Sequence, residues 1–174
     1  LVLATHNDHK VGELRAILLA AGTVPGLLPD EVVGATRFTD VQPVEDGVTF
    51  EANALIKARA LAAESGLPSV ADDSGLAVDV LGGAPGIFSA RWAGRHGDDR
   101  ANLDLLLAQL GDIAPEHRRA RFVCAAALVT PEGAEHVVRG ELVGTLLTAP
   151  RGDGGFGYDP ILQPEGEDRS CAEL

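Results

Sequence analysis

One stretch, Ala71 to Gly94, limits what this chain can fold into more than any other: ADDSGLAVDVLGGAPGIFSARWAG. The short apolar run Pro68-Ser69-Val70-Ala71 leads into two adjacent acids, Asp72 and Asp73, and the letters after them predict a turn at Ser74-Gly75. An alternating run, Leu76 to Val80, and a glycine-rich bend, Gly82 to Gly86, follow before the polar-aromatic segment Ser89-Ala90-Arg91-Trp92. Carboxylates at the end of a strand, beside a hydroxyl and permissive backbone, suit a bound metal ion and a phosphate. Successive side chains on a strand face opposite sides, so only one of the two acids can face a given site. Asp73, nearer the turn, is the expected site acid, with Asp72 in a supporting or backbone-binding role. Two acids capping a turn would leave the same letters.

Upstream, Leu1 to Ala4 reads as a short buried strand and Thr5 to His9 as a polar loop. From Lys10 a helical period places Val11, Leu14, Ile17, Leu18 and Ala21 on one face, with Gly22 where a helix ends. A strand-loop-helix unit aims free N–H groups at whatever lies above the helix start, a position that favours anions. Thr5-x-Asn7-x-x-Lys10 adds a hydroxyl, an amide and an ammonium there, although a capped helix start with a solvated lysine accounts for it equally. Neither GxxxxGK[ST] nor GxGxxG is present. Pro25 to Pro43 reads as irregular around the apolar pair Val32-Val33. The acidic turn Val44-Glu45-Asp46-Gly47 then leads to Thr49, the expected N-cap of a helix over Phe50 to Ser65 that Gly66 ends. Asn53 and Lys57, four apart, share one face of it. Read alone, Lys57 is a solvated lysine.

Downstream, Asp98 predicts the cap of a helix over Asp99 to Leu110, with Leu103, Leu106, Leu107 and Leu110 inward. Ala120 to Thr130 reads as a strand, Pro131-Glu132-Gly133 as a turn, and His136 to Leu147 as a return strand or strand pair kinked near Gly140 and Gly144. The hairpin argues for a mixed sheet. Pro150 to Pro160 is a glycine-dense loop holding Phe156, Tyr158, Asp153 and Asp159. An aromatic in such a loop can stack on a base and an acid can accept from a base edge. A structural turn fits as well.

The net charge of -12 excludes the basic stripe that a nucleic-acid polymer requires. It leaves open a small polyphosphate that arrives with a divalent cation. The longest apolar runs are too short for a membrane helix, and no secretory signal is expected. Cys124 and Cys171 stand far apart in no metal-like spacing, which suggests reduced thiols in a cytoplasmic protein. His6 and His9 flank a turn and form no metal pattern.

Together and in this order, these pieces resemble the noncanonical purine nucleoside triphosphate pyrophosphatases, the inosine/xanthosine triphosphate pyrophosphatase family. The matching segments are Thr5 to Lys10, FEANALIKA from Phe50, ADDSGLAVDVLGGAPGIFSAR from Ala71, and GDGGFGYDPI from Gly152. The resemblance implies an α/β fold, an elongated mixed β-sheet with flanking helices, in two lobes around a long substrate cleft. It implies hydrolysis of ITP, dITP and XTP to the monophosphate and pyrophosphate, with a magnesium ion on Glu45 and Asp73. Asp73 would also activate water, and Lys10 and Lys57 would act at the phosphates. Thr5, His6, Asn7, Asp8, His9 and Lys10 would hold the triphosphate. Ser74 would touch the nucleotide, and Phe156, Gly157, Tyr158 and Asp159 would wall the base pocket. Members commonly form homodimers.

Two features depart from the family pattern. Ala52 stands where an acid usually precedes the helical Asn, with Glu51 one place earlier. The pattern also runs on past Ala172-Glu173-Leu174 into a lysine and a Ser-His-Arg segment that the 174 residues do not carry. A chain truly lacking them is expected to bind substrate poorly and lose purine selectivity. Two rival expectations stand beside the enzyme: a Maf-type pyrophosphatase for pyrimidine or methylated nucleotides, and a nucleotide sensor without turnover.

Overall fold

A computed structural model describes residues 1–5, 11–12, 15–17, 28 and 31–174. Its first long element, α1 (Phe50–Ser65), is fixed at both ends by local signals. The Thr49 side chain accepts the Ala52 N–H at 3.1 Å, and Gly66 takes up the left-handed conformation at φ 65° that stops the helix. Phe50, Ala54, Ala58, Leu61 and Ala62 form its buried stripe. The second helix, α2 (Asp99–Gln109), starts from Asp98, whose side chain accepts the Ala101 N–H, and buries Leu103 and Leu106. Both helices lie where the periodicity predicts them. Of the helix expected from Lys10, residues 11–12 and 15–17 are helical with Val11 buried. Ile17, expected inward, is exposed, and Leu14, Leu18, Ala21 and Gly22 lie outside the described residues.

Six strands make a mixed sheet in the order β2-β1-β3-β4-β5-β6: β1 (Val2–Leu3), β2 (Val33–Gly34), β3 (Ser69–Val78), β4 (Arg119–Val129), β5 (Glu135–Leu146) and β6 (Leu162–Pro164). β1 runs parallel to β2, Val2 opposite Val33, and parallel to β3, Val2 opposite Ser69. β6 runs antiparallel to β5. This is the mixed α/β class expected from the sequence.

Three local expectations fail, each for a physical reason. The region from Pro25 to Pro43 was expected to be irregular, yet Val33-Gly34 pairs with β1; two residues are too few to show an alternating pattern. No turn forms at Ser74-Gly75. β3 runs through it as one continuous strand beside β4 in the sheet order, and the chain turns instead at Asp79–Leu81, Gly82 and Gly83. β5 is unbroken at Gly140 and Gly144. At Gly144 a Cβ would stand 2.2 Å from the Gln163 carbonyl oxygen, so the glycine admits the close approach of β6 and is no kink.

The chain divides into two compact units. The first comprises residues 1–73 and 125–139, and its core includes Val2, Ala35 and Leu61. The second comprises residues 74–124 and 140–174, centred on Leu76, Val78, Leu106, Leu110, Leu146 and Ile161. Within β3 the buried positions are Ser69 and Ala71 before the paired acids and Leu76 and Val78 after them, so the buried parity changes across Asp72 to Gly75. No described helix is long and apolar enough to cross a membrane.

Candidate active site

In the first unit, one face of α1 and the middle of β3 bring together the polar groups singled out by spacing. Lys57 Nζ lies 3.2 Å from Glu45 Oε2 and 3.5 Å from Asp73 Oδ1. Asn53, one helical turn before Lys57, donates its side-chain N–H to Asp73 Oδ2 at 3.1 Å. Both oxygens of Asp73 therefore face α1. Burial pushes the Asp73 carboxyl above the usual carboxylate range; Lys57 and the Asn53 N–H pull it back, and the negative Glu45 adds to the rise. Lys57 offsets one of the two carboxylates, which leaves the cluster acidic.

A cavity of about 210 Å³ in the same unit is lined by Thr5, Thr39, Gln42, Glu45, Lys57 and Asp72, among others. Asp72 thus lines the cavity with Glu45 and Lys57, whereas Asp73 is turned to α1 and is not among the lining residues. Among the described residues no three His, Cys, Asp or Glu side chains converge as a metal cage. A divalent ion here would draw on Glu45 and Asp73, which already converge on one cation, and complete its shell from phosphate oxygens and water. That hard-oxygen, part-protein shell is the pattern magnesium favours, so the donor set fits it. Thr5 lies on this cavity, while His6, Asn7, Asp8, His9 and Lys10 fall outside the described residues.

The second unit holds a separate cavity of about 640 Å³. Ser74, Phe156, Gly157, Tyr158 and Asp159 all line it, as do His96, Asp99 and Phe122. Tyr158 is buried and its hydroxyl donates to the Ser89 carbonyl at 2.9 Å. Burial pushes that phenol well above its ordinary range, with the Asp99 charge adding to it. Asp159 Oδ2 accepts the Phe156 N–H at 2.9 Å. Phe156 is 77% exposed, so its ring has a free face.

Sequence reading had not assigned a role to Asn53, Ser89, His96 or Asp99. Asn53 carried a usable signal, a polar residue one turn from Lys57 on an apolar helix. Asp99 read only as the first residue of the helix that Asp98 caps. Ser89 and His96 carried none.

Comparison with known proteins places this geometry in a family setting. Residues 1–174 match the model of the Ham1 family. A dITP/XTP pyrophosphatase of Streptomyces coelicolor is 67% identical over 175 residues, spanning 100% of this chain and 85% of that protein. One from Mycobacterium bovis is 53% identical over 180 residues, spanning 100% and 83%. Among solved structures, a nucleoside-triphosphatase / dITP/XTP pyrophosphatase from Mycobacterium abscessus superposes with a TM-score of 0.85 at 52% identity, covering 99% of this chain and 85% of the other. The Staphylococcus aureus Ham1 protein gives 0.87 at 37% identity, with the same coverage.

Proposed function

The chain belongs to the Ham1 family, and on that premise we propose that it hydrolyses the noncanonical purine nucleotides ITP, dITP and XTP to the monophosphate and pyrophosphate. The observation that carries this reading is the convergence of Glu45, Lys57 and Asn53 on or beside Asp73. Attack on a phosphoric anhydride needs a positioned water, a proton acceptor and charge neutralisation, and little else. Asp73 is the acceptor, with a carboxyl that burial makes more basic. Asn53 fixes one of its oxygens and leaves its lone pairs in a set direction. Lys57, and Lys10 from the first loop, offset charge on the departing pyrophosphate. A magnesium ion bound by Glu45 and Asp73 would supply further neutralisation of the phosphate oxygens.

The cluster in the first unit is assigned the phosphate chemistry, together with the Thr5 to Lys10 loop. The cavity of the second unit is assigned the base, with Phe156 as the stacking face and Ser74, Gly157, Tyr158 and Asp159 around it. A pocket built for a 6-keto purine leaves an adenine amino group unmatched, and each unpaired buried polar group costs about 1–3 kcal/mol. The family resemblance further leads us to take the protein as a cytoplasmic homodimer, testable by sedimentation and by cell fractionation.

The deciding experiment is a magnesium-dependent assay on ITP, dITP, XTP, dATP and dGTP that separates pyrophosphate from single phosphate as product. Pyrophosphate release from the first three, lost with chelator, is expected. Preference for pyrimidine or methylated nucleotides would favour a Maf-type enzyme, and binding without turnover a sensor.

A further inference from the structure

Two consecutive amides of the glycine-dense loop are held by two different carboxylates. The Phe156 N–H donates to Asp159 Oδ2 at 2.9 Å, a contact within the loop. The Gly157 N–H donates to Asp99 Oδ2 at 3.0 Å, across 58 residues of chain. Asp99 opens α2, but Asp98 does the capping by accepting the Ala101 N–H at 3.2 Å. The Asp99 carboxylate is not spent on the helix and instead reaches the loop. On the other side, the Tyr158 hydroxyl is fixed on the Ser89 carbonyl. Asp159 and Asp99 both line this cavity; burial raises the Asp159 carboxyl above its usual range, the Phe156 N–H lowers it in part and the Asp99 charge adds to the rise. Phe156 itself is 77% exposed, so its ring has little packing of its own to fix its direction. What directs it is the backbone beneath, and Asp99 is the long-range tie on the amide next to Phe156.

We propose that Asp99 is a positioning residue for base recognition: by holding the Gly157 N–H it sets the Phe156 ring against the purine. The inference rests on the reading of this cavity as the base site. It separates Asp99 from the proposed phosphate chemistry: Asp99 and Gly157 belong to the second unit, and Asp73, Lys57 and Glu45 to the first. It also makes acceptor capacity, rather than negative charge, the property that matters. A carboxamide at position 99 keeps an oxygen that can accept the same N–H, whereas a methyl group does not.

The test compares Asp99→Ala, Asp99→Asn, Phe156→Ala and the double variant Asp99→Ala/Phe156→Ala in the full chain. The readouts are KM and kcat for dITP, the inhibition constant of inorganic tripolyphosphate, which has no base, and the melting temperature. Asp99→Ala should raise KM for dITP roughly tenfold, the effect of losing one hydrogen bond. It should leave kcat and tripolyphosphate inhibition within about threefold. Asp99→Asn should restore most of the loss. The double variant should be no worse than Phe156→Ala alone, because Asp99 acts through that ring. Additive losses, an unchanged KM in folded Asp99→Ala, or an Asp99→Asn as impaired as Asp99→Ala would each overturn the proposal. If Asp99→Ala does not fold, Asp99→Ser, whose shorter hydroxyl cannot span to the loop, takes its place. A Phe156→Ala variant with normal KM would instead refute the base-site reading, whatever Asp99 does.

Discussion

Asn53 donates to Asp73 from a side chain only 2% exposed, at 3.1 Å, and so fixes one carboxylate oxygen while Lys57 stands 3.5 Å from the other. One helical turn separates the two donors, so a single rigid element sets the orientation of the acid. The Asn53 side-chain oxygen has no hydrogen-bond partner. Turning the amide over would bring that oxygen against a carboxylate, so the donor stays in place. Under the proposed mechanism Asn53→Ala lowers kcat by about tenfold or more with little change in KM, because Asp73 loses direction and not charge. Asp73→Asn lowers kcat by about 10²–10⁴-fold, the usual worth of a general base, while the fold survives. Steady-state kinetics with a thermal melt on each variant check both. A near-normal Asp73→Asn would remove Asp73 from the chemistry.

Gly47 seals the same arrangement. A Cβ at this position would lie 2.5 Å from the Asn53 side-chain oxygen and 2.9 Å from the Ala52 Cβ, closer than any real contact. Gly47→Ala is expected to destabilise by about 1–3 kcal/mol, the range of overpacking, and to lower kcat as Asn53 shifts. Combining it with Asn53→Ala removes one clashing atom, so the double variant should melt above the sum of the single losses. Strict additivity would show that Gly47 and Asn53 do not communicate.

How legible all this was in the sequence differs from element to element. The helices were legible because Thr49, Gly66 and Asp98 are local signals and the apolar spacing is long enough to read. The pairing of Asn53 and Lys57 on one face was legible too, but not its target, since Asp73 arrives from a different element. β2 escaped because a two-residue strand is created by its neighbour. The extended course of Ser74-Gly75 escaped because sheet pairing overrides turn propensity. The Asp99 to Gly157 contact spans 58 residues and follows from no local rule. The paired acids stood out by their place at the end of a strand run, and alternation singled out Asp73; for the glycine-dense loop spacing left a structural turn equally open, and only the family resemblance favoured a base pocket there.

Glu51, the acid one place before Ala52, has a structural task of its own. Its Oε1 accepts from Arg139 at 3.0 Å. A backbone N–H bond to its carboxylate and then Arg139 hold its pKa below the ordinary value of 4.5. A folded-state pKa lowered in this way contributes stability that is present above the unfolded value and is lost as pH falls through the folded one. Glu51→Gln should therefore melt lower than the parent at neutral pH, and the gap should close as pH drops below about 4. The pair is partly exposed, so screening by solvent keeps the gap under about 1 kcal/mol and added salt shrinks it. Melts from acid to neutral pH at two salt concentrations test it, and a gap that widens in acid would contradict the assignment.

Arg118 braces the second unit through its buried guanidinium. Its guanidinium is 2% exposed and donates to three backbone carbonyls, Leu146 at 2.9 Å, Leu110 at 2.7 Å and Leu147 at 2.9 Å. Burial lowers its pKa. Leu110 closes α2, and its carbonyl accepts both the Ile113 N–H at 3.0 Å and the guanidinium, so Arg118 ties a helix end to β5. Leu146 belongs to the same core cluster as Tyr158, Ile161 and Leu162, so the brace also supports the root of the Phe156 loop. Arg118→Met keeps apolar volume but takes a donor from three carbonyls, of which Leu110 keeps the Ile113 N–H, at about 1–3 kcal/mol for each one left unpaired. Some relaxation toward water brings the expected loss to roughly 3 kcal/mol, or about 6–12 °C in melting temperature for a chain of this size. Arg118→Lys should fall between, because a single ammonium cannot span three divergent carbonyls. A melting point within about 2 °C of the parent for Arg118→Met would mean that the carbonyls find other donors and that Arg118 is dispensable to the loop above it.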